Sequence, residues 1–520
     1  METEIFIPKD SPVRLLNAVV GRMDVSKIER SYSRMGRNEY PPRILLKLLL
    51  YGYMRRIYSS RELERACREN LHFMYLLEGH PAPDHNTICR FRSRSLLGHE
   101  QELLEQMTNL LMEWGFVSME AVFIDGTKIE ANANRYSFVW KKGTEKSRKK
   151  LLEKIQSTLP SMLKAAGVRW YVPQELELRH LKKLRKKLYE TRKKENVVFV
   201  TGKGHRKSAL QKAVESVEDW LARWKRYTGE VHICGDRNSY SKTDHDATFL
   251  RMKEDHMRNG QLKPGYNVNV ATSEEFIIGN YVSADRNDVH TLIPFMERLK
   301  FYPIQRVVAD SGYESEENYC YFEGLKRTEL FVKPANHEQK KKRKYRTDIS
   351  RRENMDYDKA TDSYTCAAGK RLTFEYDRHL KSKSGFVSTT SVYRCKDCAG
   401  CSLKEKCIRA GGSKKPLEER DKVLYVSKRF ADQRERMEEK INTEQGKLLR
   451  VNRSIQAEGA FAMVKEDMNF RRFLLRGSAK VEVEWTLLSL AYNLLKLHHK
   501  LQNGRLGTGL IRPKGFPAGL

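Results

Sequence analysis

No stretch of the 520 residues is long and apolar enough to cross a membrane as a helix. The longest apolar runs, 44–51 and 487–495, are broken by Lys, Ser or Asn and fall far short of the roughly 20 residues a span needs. The opening METEIFIPKD lacks the basic start and apolar core of a secretory signal, so a cytoplasmic location is expected. Acidic residues are in deficit, 67 against 98 Lys and Arg, which leaves a net charge of +31. Solubility alone calls for a net charge of only about 8 or less in a small domain, so a polyanionic partner is expected. Nucleic acid is the usual one, because each phosphate neutralised by Lys or Arg releases a counterion. Disulfides are not expected. Cys67, Cys89, Cys234 and Cys320 are scattered and read as small buried hydrophobes. The other five of the nine cysteines fall between Cys366 and Cys407, and in a reducing compartment such a cluster points to metal. No internal repeat is visible.

Hydrophobic residues at 39% and charged residues at 32% fit a folded, highly charged protein. A chain this long is expected to form roughly two to four domains. Residues 1–118 read as helical. Asp10-Ser11-Pro12 and Pro41-Pro42 look like helix starts, Ser59-Ser60 caps SRELERACREN, and Asp84 caps HNTICRFRSRSLL. That succession fits either a helix-turn-helix, with His85, Asn86, Arg90 and Arg92 presented to a major groove, or an ordinary helical bundle.

From Met119 the period changes. MEAVFIDGTKIEA reads as a strand running into a turn at Asp125-Gly126. Residues 141–261 read as a basic helical insertion with a cationic face suited to DNA backbone. YNVNVAT and FIIGNYVSA alternate as an antiparallel pair turning at Ser273-Glu274-Glu275. HTLIPFMERLK follows as a helix, QRVVADSGYES as a strand ending on Asp310, and LFVKP as a short strand. Residues 337–420 carry the cysteines and are otherwise polar and basic. Residues 421–502 read as helices: Lys428 to Leu449, Arg453 to Phe473, and a closing helix from Trp485. Residues 503–520 are a tail. This order predicts an α/β fold, a mixed sheet with helices on both faces, built from 119–140 and 262–336 together with 421–502.

Phosphodiester transfer needs an aimed nucleophile and a stabilised leaving oxygen. Two divalent cations about 3.5–4 Å apart serve both, and carboxylates hold them. Asp125 and Asp310 each end an apolar run, and Glu458 lies on the late helix. Lys465 and Arg472 follow Glu458 at seven-residue steps, which places all three on one predicted helical stripe. In CKDCAGCSLKEKC, Cys395, Cys398, Cys401 and Cys407 give two overlapping C-x2-C steps, with Cys366 upstream in YTCAAGK. This spacing predicts a structural zinc on four of the five thiols, and the sequence leaves open which one is left out.

At VFIDGTKIEANANRYSF, YNVNVATSEEFIIGNYVSADRNDVH, VVADSGYES and RSIQAEGAFAMVKEDMNFRRFLLRG, the chain resembles the DDE transposases of bacterial insertion sequences, and is most similar to the eleven-eighty-two group. NEYPPRILLKLLLYGYMRRIYSSRELERACRENLHFMYL, PDHNTICRFR, SKTDHDATFLRMK and QLKPGYN extend the likeness over nearly the whole chain. The resemblance implies an RNase-H-like core, Asp125, Asp310 and Glu458 as the catalytic and metal-holding triad, and Mg²⁺ or Mn²⁺. It further implies DNA as partner, meaning the element's terminal inverted repeats and a target, and a nucleoid-associated enzyme that works as a homodimer on DNA. Arg453, Lys465, Arg471 and Arg472 are then expected to contact DNA. Relatives carry Tyr-x2-Arg-x3-Glu-x6-Lys around the glutamate. Here Glu458 and Lys465 match, Val451 and Ser454 replace the Tyr and Arg, and Arg453 comes one place early. Glu466 and Asp467 are nearby alternative acids. Two other functions fit the same residues: a nuclease of this core without strand transfer, and a transposase-derived DNA-binding protein without catalysis.

Overall fold

The computed structural model describes residues 3–32, 40–202, 204–252, 261–408 and 415–504, so most of the 503–520 tail lies outside the described residues. The chain divides into two compact units: 1–127, 267–471 and 479–520 form one, 128–266 and 472–478 the other.

The first unit is built on a mixed sheet of β1 (Ala121–Glu130), β2 (Leu262–Ser273), β3 (Phe276–Ser283), β4 (Arg306–Ala309) and β5 (Glu329–Val332), in the order β3-β2-β1-β4-β5. β2 and β3 pair antiparallel, while β4 runs parallel to both β1 and β5. The α/β expectation therefore holds. The expected turn at Asp125-Gly126 does not form. β1 continues through both residues to Glu130, so Asp125 sits in mid-strand. A Gly in a strand marks a close approach, and Gly126 has one: an added Cβ would stand 3.0 Å from the Tyr313 hydroxyl and 3.1 Å from Asn269 Oδ1.

The β2–β3 hairpin turns where the alternation predicted. Glu274 and Glu275 adopt φ of 54° and 71°, the left-handed pair that a two-residue type I′ turn requires. Side chains hold this unfavoured backbone. Ser118 Oγ donates to Glu274 at 3.1 Å, and Lys496 and Lys500 pair with Glu275 at 2.7 and 3.3 Å. Both lysines belong to the closing helix Ser478–Gln502, which begins earlier than expected. Its Asn493 grips the Ile277 backbone N–H and C=O, each at 2.8 Å.

The predicted helices before Glu458 appear as Lys428–Asn442 and Glu444–Arg453. Leu449 and Ala457 pack on Ala121, Phe123, Val308 and Phe331 of the sheet. The helix expected from Arg453 to Phe473 is irregular and shorter. It contains two π-turns, Ser454–Glu458 and Met463–Asp467, and does not reach Arg472.

The N-terminal helices form as read. Pro42 opens Pro42–Met54, and the Asp84 side chain caps His85–Arg90 by accepting from the Thr87 N–H at 2.8 Å. Ser60–Glu69 and His85–Arg90 are joined by residues 70–84, which include a further helix, Leu71–Leu76. A helix-turn-helix joins its helices by a turn of about 3–4 residues, so the ordinary helical bundle describes this region better.

The cysteine-bearing segment is more ordered than its polar composition suggests. Five strands, Asp356–Asp358, Ser363–Thr365, Arg371–Lys381, Val387–Arg394 and Val423–Val426, form a sheet in that order. Cys366 and Cys395 each directly follow a strand. The pairings Thr365↔Arg371 and Thr373↔Arg394 bring those two strand ends to the same end of the sheet.

The second unit contains the basic helices. Lys141–Ala165, Leu178–Lys194 and Ala209–Cys234 share an apolar core that includes Leu151, Ile155, Leu184, Leu188, Val217 and Leu221. Apolar residues at helical spacing face that core, and the Lys and Arg between them face solvent. The SKTDHDA motif fastens this unit. Buried Asp244 accepts from the Tyr266 hydroxyl at 2.8 Å and from the Gly477 N–H at 3.2 Å, and Asp246 accepts from the Ser478 N–H at 2.8 Å.

Candidate active site

Register brings the two aspartates together. β1 and β4 pair from Ala121↔Arg306 to Ile124↔Ala309, so Asp125 and Asp310 are the next positions on neighbouring parallel strands. Strands lie about 4.8 Å apart, and side chains alternate between faces. Ala121 and Phe123 on β1 and Val308 on β4 face Leu449 and Ala457. Asp125 and Asp310 are two residues further along those faces, so both point to the side that carries the Glu458 segment.

Asp125 is 6% exposed, and its Oδ1 accepts the Gly126 N–H at 2.9 Å. Asp310 caps the 3₁₀ turn Ser311–Tyr313 by accepting the Gly312 N–H. Glu458 differs. Its side chain is 51% exposed, and its oxygens are taken by Arg453 Nη2 at 2.8 Å and Ser454 Oγ at 2.9 Å. Arg453 also reaches Asp125, with Nη1 3.6 Å from Oδ2. One guanidinium thus stands between two of the three expected carboxylates.

The π-turn explains how Arg453 does this. In an i→i+5 turn, residues five apart face each other, and Arg453 precedes Glu458 by five. The arginine that is one place early in the motif is returned to the glutamate by the extra residue in the turn. Lys465 is buried, and its Nζ donates to Thr127 Oγ1 at 2.8 Å, two residues beyond Asp125. The stripe extended to Arg472 is corrected, because the helix ends first. Arg472 belongs to the second unit, where it donates to the carbonyls of Ala131 and Ala133 at 3.2 and 3.0 Å. Arg471 pairs with Glu466 at 2.6 Å on the surface.

Sequence reasoning did not single out the polar residues packed against Gly126, next to Asp125. Tyr313 is fully buried and donates to Asn269 Oδ1 at 2.6 Å, an oxygen that also accepts from Thr291 at 2.9 Å. Burial, with Asp288, Asp125 and Asp310 nearby, holds the Tyr313 phenol far above its ordinary pKa. It remains a neutral donor. Asp288 lies in the 3₁₀ turn Asp288–His290 and accepts from Asn267 Nδ2 at 2.6 Å. The available signal was an acid just past a hairpin, in SADRNDVH, which local composition alone reads as loop.

Among the N-terminal candidates, Asn86 and Arg90 are exposed. His85 is tied to Glu64 by its ring at 2.7 Å and its backbone N–H at 3.0 Å. Arg92 is 4% exposed and donates to the Tyr58 carbonyl at 2.6 Å, so it faces the interior rather than a groove. All five clustered cysteines line one small pocket with Lys422. Burial pushes the Cys395 thiol up to about 11 and raises Cys407. Among the described residues, no three His, Cys, Asp or Glu side chains stand close enough together to chelate one ion.

Comparison with known families gives two matches. Residues 365–498, which include Glu458, match the model of the Transposase DDE domain, and residues 1–94 match that of the Transposase domain (DUF772). Both matches are consistent with a DDE transposase of insertion sequences, and the DDE domain indicates an enzyme of metal-dependent phosphoryl transfer. No curated protein and no solved structure matched the chain. None of the described helices is long and apolar enough to cross a membrane.

Proposed function

We propose that the chain binds the terminal inverted repeats of its own element, cleaves the DNA there and joins the freed end to a target. The observation that carries this reading is the register continuing from Ile124↔Ala309, which leaves Asp125 and Asp310 side by side and facing the Glu458 segment. The sheet order and strand directions are compatible with an RNase-H-like core.

The donors fit hard divalent cations. Oxygen ligands on neighbouring strands suit Mg²⁺ or Mn²⁺, and Arg453 already supplies positive charge between Asp125 and Glu458. Asp125, Asp310 and Glu458 would hold the ions. Bound there, such ions lower the pKa of an attacking water or hydroxyl and stabilise the leaving oxygen. Tyr313, Asn269 and Asn318 fix the turn that follows Asp310. Lys465 ties the Glu458 segment to β1 through Thr127. Arg453, which pairs with Glu458 here, would be free to bind two oxygens of a DNA phosphate if Glu458 held a metal. Asn86 and Arg90 on one unit, and the exposed cations of Lys141–Ala165 and Leu178–Lys194 on the other, bind DNA backbone. Two ends are handled together by a homodimer. Four of Cys366, Cys395, Cys398, Cys401 and Cys407 would hold a structural Zn²⁺ if drawn together around it. Their shared pocket and C-x2-C spacing support this.

The test uses purified chain, labelled DNA carrying the element's ends, and Mg²⁺. Cutting plus joining is expected. Cutting alone would make the chain a nuclease, and binding alone would leave it a DNA-binding protein without catalysis.

A further inference from the structure

We infer that Tyr136, Phe138 and Trp140 form a stacking face for unpaired bases of the DNA on which the enzyme acts, with Lys142, Lys242 and Arg251 holding the phosphates around it. This rests on the reading that the cationic surface of the second unit binds DNA.

The strand Phe138–Trp140 pairs antiparallel with Ser239–Ser241, in the register Phe138↔Ser241, Val139↔Tyr240 and Trp140↔Ser239. Alternation sends the two rings to one face and Val139 to the other. Val139 packs there with Cys234 and Tyr240. On the ring face the opposing residues are serines, too short to cover an aromatic side chain. Buried Phe249, of the following strand Thr248–Arg251, is the floor of the cluster. Its ring centroid stands 4.9 Å from that of Phe138 and 6.1 Å from that of Trp140, and those two stand 5.7 Å apart, edge to face. The rings pack on one another yet stay open to solvent, Phe138 at 38% and Trp140 at 37% exposed. Tyr136 extends the cluster and is 80% exposed. Its backbone is held, because the Tyr136 N–H donates to Asn134 Oδ1 at 2.9 Å. Three large rings exposed together form a patch, unlike the scattered apolar residues that ordinary surfaces carry.

The charges around the patch say what covers it. Trp140 precedes the helix Lys141–Ala165 without a side-chain capping bond, and the first turn of that helix holds no acid. Lys141 and Lys142 stand there instead, at a helix end whose dipole already favours an anion. Lys242 lies beside the ring strand, where its N–H donates to the Ser137 carbonyl at 3.0 Å. Arg251 is two residues beyond Phe249, on the same face of its strand. Lys142, Lys242 and Arg251 are exposed, and among the described residues none of them forms an ion pair. A second copy docked here about a twofold axis would bring the same cations against these. A strand of DNA complements both features, with a flat π-face and a phosphate at every step. In an intact duplex the base faces cover one another. The rings therefore reach only bases that have come unpaired, as at a frayed or newly cut end.

The experiment measures binding of the full chain to a fluorescein-labelled single strand and to the same sequence as a duplex, by anisotropy, for wild type, Y136A, W140A and W140F. Affinity for the single strand is expected to fall about 5–100-fold in W140A, by a smaller factor in Y136A and hardly at all in W140F, while duplex affinity stays within about twofold of wild type. Equal losses on both DNAs would overturn the stacking role and leave a backbone contact. Unchanged single-strand affinity in both W140A and Y136A would overturn the assignment outright. A wild-type dimer that becomes a monomer in W140A with DNA binding intact would make the patch a protein interface instead. Wild-type chain that binds neither DNA would overturn the underlying reading. If W140A fails to fold, the wild-type chain is irradiated on a single strand carrying 5-iodouracil. Cross-links are expected at Tyr136, Phe138 or Trp140, and their absence there would contradict the proposal.

Discussion

The strand-borne and helix-borne halves of the candidate site are built differently. Asp125 and Asp310 are set by the register of two parallel strands, and glycines press buried side chains close around them. Glu458 stands on a π-turn, half exposed, and is held by Arg453 and Ser454. The contrast teaches that one half is preformed and the other is poised to move. A sheet cannot shift one strand by a fraction of a residue without losing its ladder. A π-turn, by contrast, is a local irregularity of the sort that recurs at functional sites.

The largest expected effect comes from the preformed half. D125N and D310N should each lower DNA cleavage by on the order of 10³-fold or more, since several kcal/mol of transition-state stabilisation is lost with a metal ligand. Circular dichroism should show the fold intact. The glycines then separate the two halves. G126A would press a methyl group against the Tyr313 hydroxyl, Asn269 and Asp288 at 3.0–3.1 Å, and should cost about 1–3 kcal/mol of stability together with most activity. G459A, beside Glu458, meets nothing within 4 Å and lies in a helix. It should gain about 0.5–1 kcal/mol and keep activity. Thermal melts and cleavage rates of the two variants side by side decide the point, and equal damage from both would erase the contrast.

The smallest effect concerns the hairpin tip. Burial alone would raise the Glu275 pKa, but Lys496 and Lys500 outweigh it and hold the carboxyl below its ordinary 4.5. A depressed folded-state pKa gives stability that is complete above the unfolded value and lost as pH falls through the folded one. E275Q should therefore be less stable than wild type at neutral pH by about 1–2 kcal/mol, intermediate between surface and buried pairs. The gap should close as pH drops below 4.5, as read by urea titrations at several pH values. A gap independent of pH would show that the lysines do not act through the carboxylate charge.

The parts of this molecule legible in the sequence are those where local pattern and tertiary packing agree. Alternation in YNVNVAT and FIIGNYVSA matched a hairpin with one buried face, and the Asp310 strand was marked by its apolar run. Asp125-Gly126 misled because Asp-Gly is a turn signal by local preference. Here the glycine instead admits Tyr313 and Asn269 against a continuous strand. The cysteine-region sheet was missed because in strands such as Arg371–Lys381 the alternating Leu372, Phe374, Tyr376 and Leu380 are interleaved with a polar, basic sequence and only Leu372 is buried. Nothing in RSIQAEG announces a π-turn, so Arg453 looked displaced when its side chain in fact meets Glu458. The joining of the Asp288 turn to the Asp310 turn through Asn318 was not legible for a related reason: no spacing along the chain encodes that contact.

The most direct test of the carboxylate site is to load the purified chain with Fe²⁺ in place of Mg²⁺, add ascorbate and peroxide, and map where the radicals cut the polypeptide. The account predicts cuts clustered near residues 125, 310 and 458, suppressed by excess Mg²⁺ and lost in D125N. Cuts elsewhere, or an unchanged pattern in D125N, would contradict it.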